Sequence, residues 1–212
     1  MHLSVMDGGL DMVEYIYYMS LNYGGMEVFL ADTTGKVNLL SGSQPQLDGL
    51  KLSENGKKAA YLDTDANTGD TILVEIELGK EKAETVATNV QSFGYIGNTL
   101  IYYFDYTEGV GTLGAAGSKT TIANASGVQF TEDAVYYVAD ADAATGNGEL
   151  RAWDGKTETA IAKDVFAFQY KENGKLVYIG KYDVNAGVGD LYYYDGKEAR
   201  KLDTGITAIF IY

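Results

Sequence analysis

Short apolar runs that end in tyrosine recur along the 212-residue chain, and polar, glycine-containing segments separate them. The tyrosines that mark them are Tyr18, Tyr61, Tyr103, Tyr137 and Tyr178, which gives steps of 43, 42, 34 and 41 residues. Runs of this length, rich in β-branched and aromatic residues and bounded by Gly, Asn and Asp, are typical of strands. Helically spaced apolar positions are missing. The pattern therefore predicts an all-β protein.

A second repeated feature lies in the C-terminal part of the chain. The segment Leu150–Lys156 matches the segment Leu191–Lys197, and both contain Asp-Gly, a strong signal for a tight β-hairpin turn. The offset of 41 residues continues without a gap, so that Ile161 corresponds to Leu202. The C-terminal part of the sequence therefore contains two copies of a 41-residue repeat.

Each repeat divides at its turn signals into four strands, which we name A, B, C and D, with the tyrosine run as strand B. About 41 residues and four strands per unit are the signature of a β-propeller blade. A solenoid usually has shorter units, and a sandwich does not repeat. The sequence predicts one domain over residues 1–212, a five-bladed β-propeller with four antiparallel strands per blade. The blades are 13–40 together with 206–212, 45–88, 90–123, 126–162 and 165–202.

The first predicted blade begins at its B strand and lacks an A strand, which a strand from the end of the chain could supply to close the ring. The chain reaches a B strand at Val13–Ser20 and ends in an A-type strand at Ile206–Tyr212, so we expect these two to pair and close the ring. The alternative is that Leu3–Met6 is the first A strand. The C-terminal strand would then begin an unfinished sixth blade, and the chain would be a piece of a longer array.

All long loops of the predicted fold connect strand B to strand C, and they lie on one side, opposite the tight A–B and C–D turns. Function usually resides in loops held by a rigid scaffold, so this side is the predicted binding face. Its candidate residues are acidic or aromatic. They are Asp63, Asp65, Asn67, Asp70, Asp105, Tyr106, Glu108, Asp140, Asp142, Tyr182 and Asp183. The repeated tyrosines and Trp153 are expected to pack between blades instead.

The loop Asp63–Asp70 has oxygen-bearing side chains at alternate positions, as calcium loops do. It departs from the EF-hand pattern, because glycine stands at its seventh position and Val74 stands where a bidentate glutamate would be. The other B–C loops do not repeat the arrangement. We expect no cofactor, and at most one weak calcium site here.

Charge and residue composition exclude several classes of function. The net charge of −14 repels a phosphate backbone and argues against nucleic-acid binding. The absence of cysteine and a single histidine, His2, exclude thiolate chemistry and a Ser-His-Asp triad. No apolar run is long enough to cross a membrane, and the first residues show no signal peptide.

The tyrosine-rich strand, loop and Leu191–Lys197 hairpin resemble propeller repeats of uncharacterised cell-envelope proteins of Gram-positive bacteria, which are distantly similar to TolB-like and YWTD-type propellers. The resemblance covers residues 13–212, although the YWTD motif is absent. It implies a non-catalytic binding or assembly module, extracellular or in the cell envelope as part of a longer precursor, with a protein or glycan partner. The alternative is a carbohydrate-binding or glycosidase-like propeller, because glycoside hydrolysis needs only two carboxylates.

Overall fold

The structure is a computed structural model that describes residues 4–6, 15–22, 25–32, 37–39, 46–80 and 83–210, with side chains described at 29–31 and from 49 onward within these ranges. The described residues form eighteen β-strands and no α-helix. Every pairing with a described register is antiparallel. The predicted all-β, antiparallel architecture is confirmed. Within the described residues, no helix has the length and hydropathy needed to span a membrane.

Two four-stranded sheets come first along the chain, each with its strands in sequence order. The first contains β1 (Ser4–Met6), β2 (Tyr15–Asn22), β3 (Gly25–Asp32) and β4 (Val37–Leu39). The second contains β5 (Gln46–Leu52), β6 (Lys58–Thr64), β7 (Thr71–Glu77) and β8 (Ala83–Thr88). In both sheets the tyrosine run is the second strand, the position expected for strand B.

The remaining ten strands follow one another in a single hydrogen-bonded order from β9 to β18. They are β9 (Val90–Ile96), β10 (Thr99–Thr107), β11 (Val110–Ala115), β12 (Thr121–Phe130), β13 (Val135–Ala139), β14 (Gly148–Trp153), β15 (Glu158–Glu172), β16 (Lys175–Asp183), β17 (Val188–Tyr194) and β18 (Ala199–Ile206). The long strands β12 and β15 each cover both the D strand of one predicted blade and the A strand of the next.

The chain divides into two compact units, one of 1–105 with 115–117 and one of 106–114 with 118–212. The first unit has two apolar clusters, one around Tyr61 and Ile76 and one around Leu73 and Leu100. The second unit has a cluster in which β13 and β14 meet β15 and β16, with Leu150 fully buried in it. The predictions of a single domain and of five blades in a ring stay predictions.

The repeated tyrosines are core residues wherever their side chains are described. Tyr61, Tyr103, Tyr137 and Tyr178 are all buried, and so is Trp153. The side chain of Tyr18 lies outside the described residues. The prediction that these aromatic side chains serve packing rather than ligand binding fits their burial. An apolar or aromatic residue that recurs at the repeat step is expected in the core, because each repeat packs in the same way.

The described strands do not show the predicted pairing of Ile206–Tyr212 with the first B strand. Strand β2 already has two neighbours, β1 on one side and β3 on the other. The register of β1 places Ser4 opposite Tyr17 and Met6 opposite Tyr15, so residues 4–6 form the A strand of the first sheet. This is the alternative assignment for Leu3–Met6, although Leu3 itself lies outside the described residues. Strand β18 ends at Ile206, and residues 207–210 belong to no strand.

Candidate binding surface

Three of the long loops contain the same turn, in which an aspartate is followed four residues later by a glycine. The Oδ1 atom of each aspartate accepts backbone N–H groups two and three residues onward, and the glycine N–H donates to the aspartate carbonyl at 2.7–2.8 Å. Each glycine has a positive φ, which glycine adopts without the strain that a side chain would add. The pairs are Asp65 with Gly69, Asp142 with Gly146 and Asp183 with Gly187.

Hydrogen bonds within two of these turns favour the charged form of the aspartate. Backbone N–H groups of Asn67 and Thr68 lower the pKa of Asp65, and those of Thr145 and Ala144, with the Thr145 hydroxyl, lower the pKa of Asp142. The donors favour the charged carboxylate because its oxygens accept them best. Asp142 and Asp183 are exposed. The turns therefore place acidic side chains at the surface, and in the turns of Asp65 and Asp142 they favour the ionised form.

Asn147 joins two of the loops. Its Nδ2 donates to the carbonyl of Tyr182 over 2.9 Å, and its Oδ1 accepts the N–H of the same residue over 3.1 Å. The side-chain amide thus forms both hydrogen bonds that a neighbouring strand would form with Tyr182. Loop 140–148 and loop 182–189 are held in one arrangement, both within the second unit.

Beside this junction, the ring of Phe166 stacks on the ring of Tyr182 with centroids 3.9 Å apart and an interplanar angle of 8°. Phe166 is 37% exposed and Val184 is 48% exposed. A Cβ at Gly146 would lie 3.0 Å from the Phe166 ring, so the turn of loop 140–148 packs against that ring. We call the set formed by loops 140–148 and 182–189 with Phe166 the loop-pair surface.

Two of the predicted site residues have a structural role. The N–H of Asp105 donates to the carbonyl of Asn89 at 3.1 Å, and the Asn89 amide donates back to the Asp105 carboxylate at 3.3 Å. Asp140 and Asn124 form the same reciprocal pair at 3.1 and 3.2 Å. All four residues have a positive φ, which Asn and Asp tolerate better than most residues. Each pair lies where the pairing of a B strand with the strand before it ends.

The other predicted residues are dispersed. Asp63 is buried, and its Oδ1 accepts the N–H of Thr64 at 2.8 Å. Asn67 and Asp70 are exposed in the first unit, and Tyr106 and Glu108 are exposed in the second. Among the described residues, no group of three or more His, Cys, Asp or Glu side chains is arranged to hold a metal ion. The weak calcium site at Asp63–Asp70 stays a prediction.

Of the eleven predicted residues, the structure brings Asp140, Asp142, Tyr182 and Asp183 together on the loop-pair surface. Sequence reasoning missed Asn147 and Phe166. Asn147 bonds to a residue 35 positions away, and no local pattern reports such a contact. A signal was available for Phe166, because the residue 41 positions onward is Thr207, so an exposed ring here departs from the repeat.

Comparison with known proteins assigns the fold. No family model and no curated protein matches the sequence. The β-propeller domain of the Trilobed protease from Pyrococcus furiosus, described as having an open velcro topology, matches 94% of this chain over 71% of its own length, with 13% identity and a TM-score of 0.53. The chain has a β-propeller fold.

Other solved structures also match the propeller. An acylaminoacyl peptidase from Pyrococcus horikoshii matches 95% of it at 12% identity and a TM-score of 0.50, and the propeller spans 39% of that chain. TolB from Acinetobacter baumannii matches 90% of it over 52% of its own length, at 13% identity and a TM-score of 0.42. The propeller thus spans about two fifths of the peptidases it matches. At these identities the likeness shows the fold alone.

Proposed function

We propose that the propeller is a non-catalytic binding module and that its partner docks on the loop-pair surface. The observation that carries the proposal is the double hydrogen bond from Asn147 to Tyr182, which fixes two loops of the second unit relative to each other. A surface that is already ordered loses little conformational entropy when a partner binds. Exposed Phe166 and Val184 supply apolar contact area on this rigid surface.

The chemistry of the surface favours a protein segment that carries basic side chains next to apolar ones. Asp140, Asp142 and Asp183 are exposed acidic residues on the two loops. Like charges repel and opposite charges steer association, so a basic partner is favoured over an acidic one. Apolar anchors surrounded by polar groups are typical of protein interfaces. A protein partner is therefore our first choice, and a glycan is the second.

Carboxyl pKa values support a non-catalytic role. A glycosidase needs one carboxylic acid whose pKa is raised, so that it is protonated when the glycosidic bond breaks. Several carboxyl groups of this chain instead have a lowered pKa, which favours the charged form. These are Asp65, Glu77, Asp142, Asp154, Glu158, Asp190 and Asp195.

We further propose that the strands form five blades of four strands each, with β12 and β15 each shared between two blades. The 41-residue period and the order of strands support this arrangement. The resemblance to envelope propellers supports an extracellular or cell-envelope location as part of a longer protein.

The test uses peptides selected from a random display library for binding to the wild-type propeller. Affinity is then measured by fluorescence polarisation on the double variant Asp142→Asn with Asp183→Asn. Asparagine keeps the turn, because its side-chain oxygen still accepts the backbone N–H groups, but it removes the charge. We expect a loss of affinity of about tenfold and a weaker dependence on salt.

The chain offers a matched control on its tight turns. The Oδ1 atoms of Asp154 and Asp195 accept N–H groups two and three residues onward, as in the loops. The double variant Asp154→Asn with Asp195→Asn therefore removes the same charge from the same kind of turn, and binding should be unchanged. Equal loss in both variants would disprove the assignment of the surface. Binding to a neutral oligosaccharide that is lost only in Phe166→Ala would favour the glycan alternative.

A further inference from the structure

The segment 205–212, Gly-Ile-Thr-Ala-Ile-Phe-Ile-Tyr, has no charged residue, although the chain as a whole has a net charge of −14. It is rich in β-branched and aromatic residues and contains no proline. Segments of this composition pair readily with other strands, including identical ones. Its first two residues are the last two of β18, which pairs with β17 and stands at the end of its sheet.

The internal repeat shows what such a segment does when it is covered. By the 41-residue offset, Val165 corresponds to Ile206 and Phe168 to Ile209. Val165 and Phe168 are buried in β15, where they pair with β16. Their counterparts are only half-buried, and Phe210 is 77% exposed. The segment 206–210 therefore presents apolar side chains that the equivalent position in the fold covers with a strand.

No tyrosine-run strand in the described part of the chain is open to receive it. Each of these strands already has a neighbour on both sides. They are β2, β6, β10, β13 and β16. None of these five strands therefore has a free side on which segment 206–210 could pair as Val165–Phe168 pairs with β16.

We propose that segment 206–210 is a self-association site, which pairs antiparallel with the same segment of a second copy around a twofold axis. An isologous contact of this kind needs only one self-complementary segment. Charge favours this place, because two copies with a net charge of −14 each repel one another over their acidic surfaces. The uncharged segment is where two copies meet without opposing carboxylates. Exposed Leu202 on β18 extends the apolar contact.

The test is sedimentation equilibrium of the full chain between about 1 and 100 µM, with and without added salt. We expect a monomer–dimer equilibrium that shifts toward the dimer as salt screens the charges. Ala208→Pro removes one backbone N–H from the pairing edge, and Ala208→Ser keeps it. The proline variant should weaken dimerisation at least about tenfold, and the serine variant should match the wild type.

A second pair of variants keeps the test decisive if proline disturbs folding. Phe210→Lys places a charge in the segment, and Val184→Lys places the same charge at another exposed apolar residue of the same unit. Only Phe210→Lys should weaken the dimer, while circular dichroism shows both variants folded. A monomer at every concentration, or dimers unaffected by Ala208→Pro and Phe210→Lys, would overturn the proposal. Such a result would leave segment 206–210 to a following repeat or to a different protein.

Discussion

Replacing Asn147 by alanine tests whether the contact between the two loops is a real constraint. The side chain makes two hydrogen bonds, at 2.9 and 3.1 Å, to the carbonyl and N–H of Tyr182. Both residues are half-buried. After the substitution, water reaches the freed groups only in part. The variant therefore loses two bonds and retains some of the desolvation penalty.

The size of the effect follows from these contacts. A hydrogen bond contributes about 0.5–1.5 kcal/mol net, so two bonds predict a loss of about 2 kcal/mol in the free energy of unfolding. For a chain of this length that corresponds to a decrease in Tm of about 4–8 °C. The packing of Phe166 on Tyr182 remains in the variant, so the loops loosen but the second unit stays folded.

Asn147→Asp provides a sharper version of the same test. The new carboxylate has the shape of the amide but directs an oxygen, not an N–H group, at the Tyr182 carbonyl. The repulsion raises the pKa of that carboxyl in the folded state. A carboxyl with a raised folded pKa favours folding more as the pH falls, because the protonated form can donate to the carbonyl. The variant should therefore be less stable than Asn147→Ala at pH 7 and should regain stability as the pH falls toward about 4, the ordinary pKa of the carboxyl.

The assay is thermal unfolding by circular dichroism at pH 7 and pH 4, together with hydrogen exchange of the Tyr182 amide. Wild-type exchange should be slow, and both variants should exchange faster at pH 7. A Tm within about 1 °C of wild type for Asn147→Ala, with unchanged exchange at Tyr182, would refute the reasoning. So would an Asn147→Asp variant whose stability relative to wild type does not rise as the pH falls.

Three further outcomes are expected. Gly148→Ala should lower the free energy of unfolding by about 3 kcal/mol, because the new Cβ would lie against the Ala139 carbonyl and 2.7 Å from a Val138 methyl. Gly117→Ala has open space around the new Cβ but a φ of +76°, and it should lower that free energy by about 1 kcal/mol. Urea denaturation measures both losses. Calcium at millimolar concentration should raise the Tm by no more than about 3 °C over EDTA; a larger shift that is absent in Asp65→Ala would reveal a true site. The lowered pKa values of Asp154 and Asp195 predict that stability, constant at neutral pH, declines as the pH falls through and below their ordinary value of 3.8. The paired asparagine variant should decline less steeply in melts from pH 5 to 2, and an identical decline would contradict the role of these carboxylates.

Local chemistry made much of the strand order predictable from the sequence. The Asp-Gly turn at Asp195 is a hairpin because the aspartate carboxylate accepts two N–H groups within three residues. The recurring tyrosines indicated core positions because burial repeats with the repeat, and Tyr61 and Tyr137 are fully buried. Both signals act over a few residues, or recur at a fixed step, and single-sequence reasoning can detect them.

Closure and the site were less predictable because they depend on contacts between distant residues. The first A strand is only three residues long, Ser4–Met6, whereas the C-terminal segment has the stronger β-forming composition. Composition therefore favoured a partner for β2 other than β1, the neighbour that the structure describes. Most of the acidic loop residues are exposed. The structural bonds of Asp105 and Asp140 to asparagines 16 residues away leave no mark in the sequence around them.

The three repeated aspartate turns change how a binding site should be sought in this propeller. Asp65, Asp142 and Asp183 have the same role in their turns, because each accepts the backbone N–H groups of its own loop. Such a shared residue cannot by itself make one loop differ from another. Specific recognition depends on the residues in which one loop departs from its counterparts. In the second unit these are Asn147, Phe166 and Val184, which have no equivalents at the matching positions 188, 207 and 143. The repeated carboxylates supply charge to each of their loops, and under the proposed function these three residues determine where on the loop-pair surface a partner binds.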